Sequence, residues 1–493
     1  MGALLSDLAV FLYFGAAAAL MLYGLNCYVM IFLFNRGRTG AADARRRILD
    51  AAGDIELRED LPVVTTQIAV YNEVNVAERA IRAACRMRYP RDRHEIQVLD
   101  DSTDETCAIV DRTADLLRAE GHDVRVLRRK ERTGFKAGAL AAGLDVAKGS
   151  LAAVFDADFV PSEEYLLRTV PFFLADDRLA LVQARWGHLN RTRSLLTRAQ
   201  SIGIDGHFMV EQAARNWNGL YMNFNGTAGI WRRTAIADGG GWAWDTLTED
   251  MDLSYRVQFA GWRTLFLPDL VVPAEIPEDV DAFKGQQFRW AKGSIQTAVK
   301  LLPRLVRQPV SLFKKLQAFF HMTHYLVHPM MLLMAILALP VLQVLNMNFG
   351  PLIFGAVACA LLLSMTAPSA LYLVSQRAAY RDWPRRVLFM PFLVVLGVGI
   401  AISNTRAVVE ALAGRESPFI RTPKRGDREI KRYRTSLPGL AFAEILMGGY
   451  CMLSLQVYLD AGKYLIGPFL AVYAMGFLFI GILTIVQRLG WEG

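Results

Sequence analysis

Residues 8–34 read LAVFLYFGAAAALMLYGLNCYVMIFLF without one charged side chain. Such a run is long enough to cross the roughly 30 Å hydrocarbon core of a bilayer as a single helix. It exceeds a signal peptide in length and lacks a small-residue cleavage site, so it commits the chain to a membrane. Arg36, Arg38 and Arg45 to Arg47 follow it and only Asp7 precedes it, which places the next segment in the cytosol and the N-terminus outside. With 53% hydrophobic and 21% charged residues in 493, the chain is neither disordered nor collagen-like. The net charge of +8 gathers beside apolar runs, a pattern that suits a lipid surface and not nucleic acid. The cysteines, Cys27, Cys85, Cys107, Cys359 and Cys451, are odd in number and far apart, which reads as reduced thiols without zinc.

Apolar runs return at residues 319–345, 352–374, 387–404, 440–459 and 464–486. If every one crossed, the basic stretch 406–434 would face outside, against the charge rule. Residues 387–404 are short, contain Pro391 and run on into RAVVEAL, so they are expected to be re-entrant or interfacial, leaving five spans with the first. The expected organisation is a transmembrane helix (1–35), a cytosolic linker (36–60), a soluble α/β domain (61–295), an amphipathic interfacial segment (296–318) broken by Pro303 and Pro309, and two spans (319–374). A cytosolic or interfacial segment (375–439) and two more spans (440–493) complete it. Glu444 lies inside an apolar run, where it either meets a partner or snorkels to the surface. His321, His324 and His328 share a helical face, but without a carboxylate they read as packing residues in preference to metal ligands.

Within residues 60–300, β-rich runs at 63–70, 95–99, 124–127 and 151–155 alternate with helical stretches at 76–87 and about 106–120. That alternation predicts a parallel sheet with crossovers, whose ligands bind at the carboxyl ends of the strands. The polar residues fall there. Tyr71 and Glu73 follow the first run, Asp101 the second, and Asp156 and Asp158 end the fourth. An acidic pair separated by one small residue suits a hard divalent cation bridging a diphosphate, although a strand-end Asp also caps turns. Lys136, in RTGFKAG, is placed to meet phosphate, but no P-loop is present. Glu249 and Asp250 open a helix behind the N-cap candidate Thr248. The helix dipole favours them there, and one of them could equally point into the crevice as a general base. Arg289 could meet a diphosphate and Trp290 stack on a sugar ring, or the two could anchor the chain at the interface.

AVYNE (69–73), LDDS (99–102), FDAD (155–158), TED (248–250) and QQFRW (286–290) stand in the order and at intervals that resemble glycosyltransferase family 2, the processive polysaccharide synthases. IQVLDDSTDET, RTVPFF, ALVQARW, FNGTAGIWRR and EDMDL most resemble the cellulose-synthase-like branch that makes mannan and glucomannan, and its bacterial relatives. The resemblance implies an α/β fold of GT-A type, Rossmann-like and cytosolic, joined to a transmembrane helix bundle. It also implies a nucleotide-sugar donor, UDP-glucose or GDP-mannose, a Mg2+ or Mn2+ ion, and a growing glycan or lipid acceptor. By matched motif, Tyr71, Glu73, Asp101, Lys136, Gln286 and Arg289 would hold the donor, Asp156 and Asp158 the metal, and Asp250, beside Glu249, would be the base. Asn225, Gly226, Thr227 and Trp290 would line the acceptor site. Residues 415–426 resemble a gating loop, with Phe419, Arg421, Thr422, Pro423 and Lys424. AKG after Trp290 departs from the plant sequences, and no cyclic-dinucleotide-binding module is visible.

The resemblance thus implies an inverting hexosyltransferase that elongates and extrudes a β-linked polysaccharide, in a bacterial inner (plasma) membrane. A non-processive enzyme acting on a lipid acceptor is the alternative, and an inactive nucleotide-sugar receptor is a third reading. A transporter is set aside, since the spans show no repeat.

Overall fold

Seven strands form one sheet: β1 (Val64–Val70), β2 (His94–Asp100), β3 (Asp123–Leu127), β4 (Leu151–Asp156), β5 (Leu179–His188), β6 (Gly229–Arg232) and β7 (Arg263–Ala274), in the order β3-β2-β1-β4-β6-β5-β7. The structure is a computed structural model and describes residues 2–53, 55, 58–344, 351–417, 426 and 438–489. Phe419, Arg421, Thr422, Pro423 and Lys424 therefore lie outside the described residues.

The central strand β1 is β-branched and buried on both faces, as a strand covered by helices on each side must be. Its polar side chains are matched across the register with β2. Thr65 donates to Glu95 at 2.6 Å, Thr66 meets His94 at 2.9 Å and Gln67 donates to Gln97 at 3.0 Å, so each of these side chains has a partner in the core. The sheet is mixed, not wholly parallel, because β6 enters antiparallel between β4 and β5. Four residues, GIWR, are too few to show a period, and the helical stretch 195–217 between β5 and β6 reads like any crossover, so nothing announces the reversal.

The first helix does not stop at the expected boundary near residue 35 but runs from Gly2 to Ala52. Charge ends the membrane crossing there without ending the helix, since AADARRRIL is made largely of good helix formers. Phe34 stacks on Trp217 with ring centres 5.4 Å apart, Arg45 lies over the same indole at 5.5 Å, and Arg45 pairs with Asp269 at 3.2 Å. The span and the soluble domain are thus held as one piece.

Among the described residues, Ser6–Ala52, Leu312–Leu342, Gly439–Asp460 and Gly467–Arg488 are long and apolar enough to cross a membrane. A further helix, Pro351–Ala379, covers the run expected at 352–374. Trp383–Gly399 and Ala401–Leu412 meet at a 45° bend, so residues 387–404 form a broken element. The bend falls at Ile400. Pro391 sits in the first turn of its helix, where its missing N–H costs nothing.

One expectation is corrected here, and one open alternative is decided. The boundary at 295/296 cuts a single helix, Val280–Val306, that carries Pro303 inside it, and the chain breaks only around Pro309. Glu444 does not snorkel: it is fully buried, with Lys284 Nζ 2.7 and 2.9 Å from its two carboxylate oxygens. Lys284 belongs to that same helix, so the ion pair ties it to the span Gly439–Asp460. The three histidines take separate partners, His321 with Tyr255 at 2.8 Å, His324 with its own helix backbone, and His328 with Asn404 at 3.0 Å.

Candidate active site

The strands deliver their polar residues into one cleft at their carboxyl ends, and the helix Val280–Val306 lines it with Gln286, Arg289 and Trp290. At the end of β1, Asn72 adopts φ 55°, a left-handed conformation that few residues other than Gly and Asn tolerate. From there its N–H donates to Ser102 at 2.9 Å and its side-chain oxygen accepts from Thr103 N at 2.8 Å. The loops after β1 and β2 are thereby tied, which fixes Tyr71 and Asp101. Arg129 grips Asp101 through two hydrogen bonds, 2.5 and 3.1 Å, and the Arg132 guanidinium lies 3.4 Å from the Tyr71 ring centre. That flat cation–aromatic shelf suits a nucleobase. Arg132 was missed as a site residue, although it opens the RTGFKAG segment that carries Lys136.

Lys136, on the helix Phe135–Asp145, donates to the Asp156 carboxylate and to Gly226 O at 2.7 Å. Burial works against its charge, but Asp156, Glu249 and Asp250 together hold its pKa above the usual lysine value. Asp156 is a third exposed, whereas Asp158 is nearly buried and accepts from Glu275 N at 3.2 Å. Thr227, expected to line an acceptor site, is not among the residues that line the cleft. It is completely buried, and its hydroxyl takes the Asp156 N–H at 2.9 Å, so it supports the end of β4 from beneath. No group of three or more His, Cys, Asp or Glu forms a metal cage among the described residues. Two strand-end carboxylates facing a shared cleft nevertheless make a hard-oxygen donor set. That set fits Mg2+ or Mn2+ when diphosphate oxygens and water complete the shell.

Glu249 and Asp250 open the helix Glu249–Phe259. Thr248 occupies the N-cap, yet its hydroxyl meets Thr297 at 3.1 Å instead of capping its own helix. The helix Val280–Val306 comes so close here that a Cβ on Gly293 would lie 2.8 Å from Thr248 N, which explains the glycine of AKG. Asp250 Oδ1 accepts from Met251 N at 2.8 Å, and a Cβ on Gly226 (φ 82°) would lie 3.0 Å from Asp250 Oδ2. Burial first, and the Glu249 carboxylate second, push the Asp250 carboxyl up to about 7. Glu249 is raised by burial too, with Lys136 opposing. Burial lowers the Arg289 pKa, against the pull of Glu249, Asp156 and Asp250. A carboxyl raised toward neutrality thus shares the Gly226 corner of the cleft with the Lys136–Asp156 pair.

Asn225 is held by Gln183, Gln212 and His207 at 2.6 to 3.1 Å. The cleft also recruits Trp186, His188 and Glu275, which were not singled out as site residues. The sequence held Trp186 as the last residue of ALVQARW, but the roles of all three depend on how β5 pairs with β7. On either side of the undescribed loop residues, Lys292 bonds Ser417 and Glu410, and Gly426 N donates to Glu275 at 3.0 Å.

Residues 62–293 match the family model described as glycosyltransferase like family 2. Glucomannan 4-beta-mannosyltransferase 7 of Arabidopsis thaliana is 33% identical over 441 residues, covering 85% of this chain and 77% of that one. A probable glucomannan 4-beta-mannosyltransferase 7 of rice, Oryza sativa subsp. japonica, is 37% identical over 372 residues, 74% of this chain and 61% of that one. A solved mannosyltransferase from Pyrobaculum calidifontis, in complex with GDP-Man and Mn2+, shares the fold with a TM-score of 0.51 at 19% identity, covering 82% of this chain and all of that one. The soluble domain is thus of GT-A type.

Proposed function

The chain belongs to glycosyltransferase family 2, together with its glucomannan 4-beta-mannosyltransferase relatives, and from that premise we propose that it elongates a β-linked polysaccharide at the membrane with hexose from a nucleotide sugar. GDP-mannose is the first donor to test, and UDP-glucose the second. One observation carries the reading: Asp250, its carboxyl raised to about 7, packs against Gly226, whose carbonyl accepts from the lysine of the Lys136–Asp156 pair. A carboxyl that can take a proton near neutrality, beside a cationic group that can neutralise a departing diphosphate, gives one cleft the two parts a glycosyl displacement needs.

In this reading Tyr71, Arg132, Glu73 and Asp101 hold the nucleoside, while Lys136, Gln286 and Arg289 hold the diphosphate. Asp156 and Asp158 hold a divalent cation, which supplies charge neutralisation for the departing diphosphate. Asp250 takes the proton of an acceptor hydroxyl stacked near Trp290. That oxygen bonds to the anomeric carbon from the face opposite the diphosphate, whose bond breaks, and an α-linked donor yields a β-glycoside. Fixed charges in a buried cleft achieve this without reorganisation at the moment of reaction. Arginines concentrated just after the first span favour a cytosolic catalytic domain with the amino end of that span outside.

The test is transfer of labelled sugar by the full chain in lipid nanodiscs, with each donor supplied separately. A high-mass product cut by an endo-β-glycanase supports the reading, and label found only on lipid overturns it. Two further outcomes are expected. EDTA stops transfer and weakens nucleotide-sugar binding measured by calorimetry, and Mn2+ restores both; unchanged binding and turnover in EDTA would remove the Asp156/Asp158 assignment. A base with a raised pKa works only when ionised, so kcat/KM falls as pH drops through about 7. Glu249→Gln deletes the neighbouring negative charge and moves that acid limb to lower pH, which a pair of pH–rate profiles would read.

A further inference from the structure

Two polar atoms on the cleft-facing side of β5 have nothing to bond. Trp186 and His188 are two residues apart, hence on one face of the strand, and both line the cleft. The Trp186 indole nitrogen and His188 Nδ1 are buried and lack a hydrogen-bond partner among the described residues. The indole nitrogens of Trp217, Trp231 and Trp242 are unpartnered too, but those rings lie away from the cleft, whereas Trp186 and His188 line it, where a ligand or water can meet them.

The rest of the imidazole is committed. His188 Nε2 lies 3.1 Å from Asp205 Oδ1, and that carboxylate also accepts from Tyr380 at 3.0 Å and Gln376 at 3.0 Å, with Arg185 3.9 Å away. Asp205, already accepting from Tyr380 and Gln376, takes the Nε2 proton as well, and in the neutral tautomer that this bond selects Nδ1 presents a lone pair. An unused acceptor and an unused donor thus stand side by side, and the Trp186 ring centre is 6.5 Å from that of Trp290. In the sheet order, β5 lies beyond β4 and β6 from the β1 end that carries Tyr71, so this is the side away from the nucleoside.

We infer that Trp186 and His188 form a subsite for a hydroxyl of the acceptor pyranose, with Asp205 as the positioning residue that fixes the imidazole. A sugar hydroxyl donates to Nδ1 while accepting from the indole N–H. This rests on the sugar-transfer function proposed above and adds to it the side chains that register the acceptor beside Trp290.

The two amide replacements of His188 separate binding from support. Gln reaches the position of Nε2 and keeps the Asp205 contact, whereas Asn places its amide where Nδ1 stands. With short β-linked oligosaccharides as acceptors, His188→Gln is expected to raise the acceptor KM about tenfold, the loss of one buried hydrogen bond, with the nucleotide-sugar KM unchanged. His188→Asn stays nearer the unaltered protein. Trp186→Phe keeps the ring against Phe208 and Trp290, removes the N–H, and raises the same KM. Asp205→Asn does so as well, by freeing the ring to turn. The reverse order, Asn impaired and Gln normal, would mark a purely structural histidine and overturn the subsite, as would equal shifts in both KM values. Absence of transfer by the unaltered protein would overturn the function and the subsite together, whereas intact transfer with an unmoved acceptor KM overturns the subsite alone.

Discussion

Replacing Asp250 with Asn is expected to lower the rate of sugar transfer by about a hundred- to ten-thousand-fold, the usual contribution of a positioned general base, and to leave nucleotide-sugar binding intact. The amide keeps the shape that fits beside Gly226 and can still accept from Met251 N, so the helix Glu249–Phe259 has no reason to move. What it loses is the ability to take a proton. Steady-state rates and calorimetry on the same preparation separate the two quantities. Transfer within tenfold of the unaltered protein would show that the base lies elsewhere, Glu249 being the first place to look.

The second large effect concerns stability. Lys284→Met leaves the Glu444 carboxylate buried without its cation, and Glu444→Leu strands the ammonium in the same way. Breaking a buried pair from one side costs about 3–5 kcal/mol, whereas replacing both partners with apolar groups is often neutral. Each single variant should therefore unfold at markedly lower temperature in nanodiscs, and Lys284→Met combined with Glu444→Leu should recover most of the loss. The helix joined by this pair carries Gln286, Arg289 and Trp290, so the single variants should also lose transfer before they unfold. Additive losses in the double variant would mean that the two charges do not support one another.

Much of the site was legible because its residues follow short β-branched runs. VTTQIAV, HEIQVLD and LAAVFD each end in the residues that line the cleft, and strand ends in a parallel arrangement converge. The α/β class followed from the alternation of runs, and four of the five expected spans coincide with helices long and apolar enough to cross a membrane among the described residues. Other features depend on contacts between distant segments. Nothing in GIWR announces an antiparallel insertion, and the role of Thr227 depends on Asp156 lying above it. The helix past residue 35 and the one through Pro303 show the limit of reading boundaries from charge and proline. Charge marks where lipid ends, and a proline late in a helix gives up one hydrogen bond without ending it. Glu444 was legible as costly but not as paired, because Lys284 lies 160 residues away in the chain.

The central claim is a single displacement in which Asp250 activates the acceptor and the diphosphate departs from the opposite face. The linkage formed in the first turnovers tests it most directly. With GDP-α-mannose and a short β-mannan acceptor, proton NMR of the product should show only a β-linked residue at the new non-reducing end. An α-linked residue would contradict one base and one displacement.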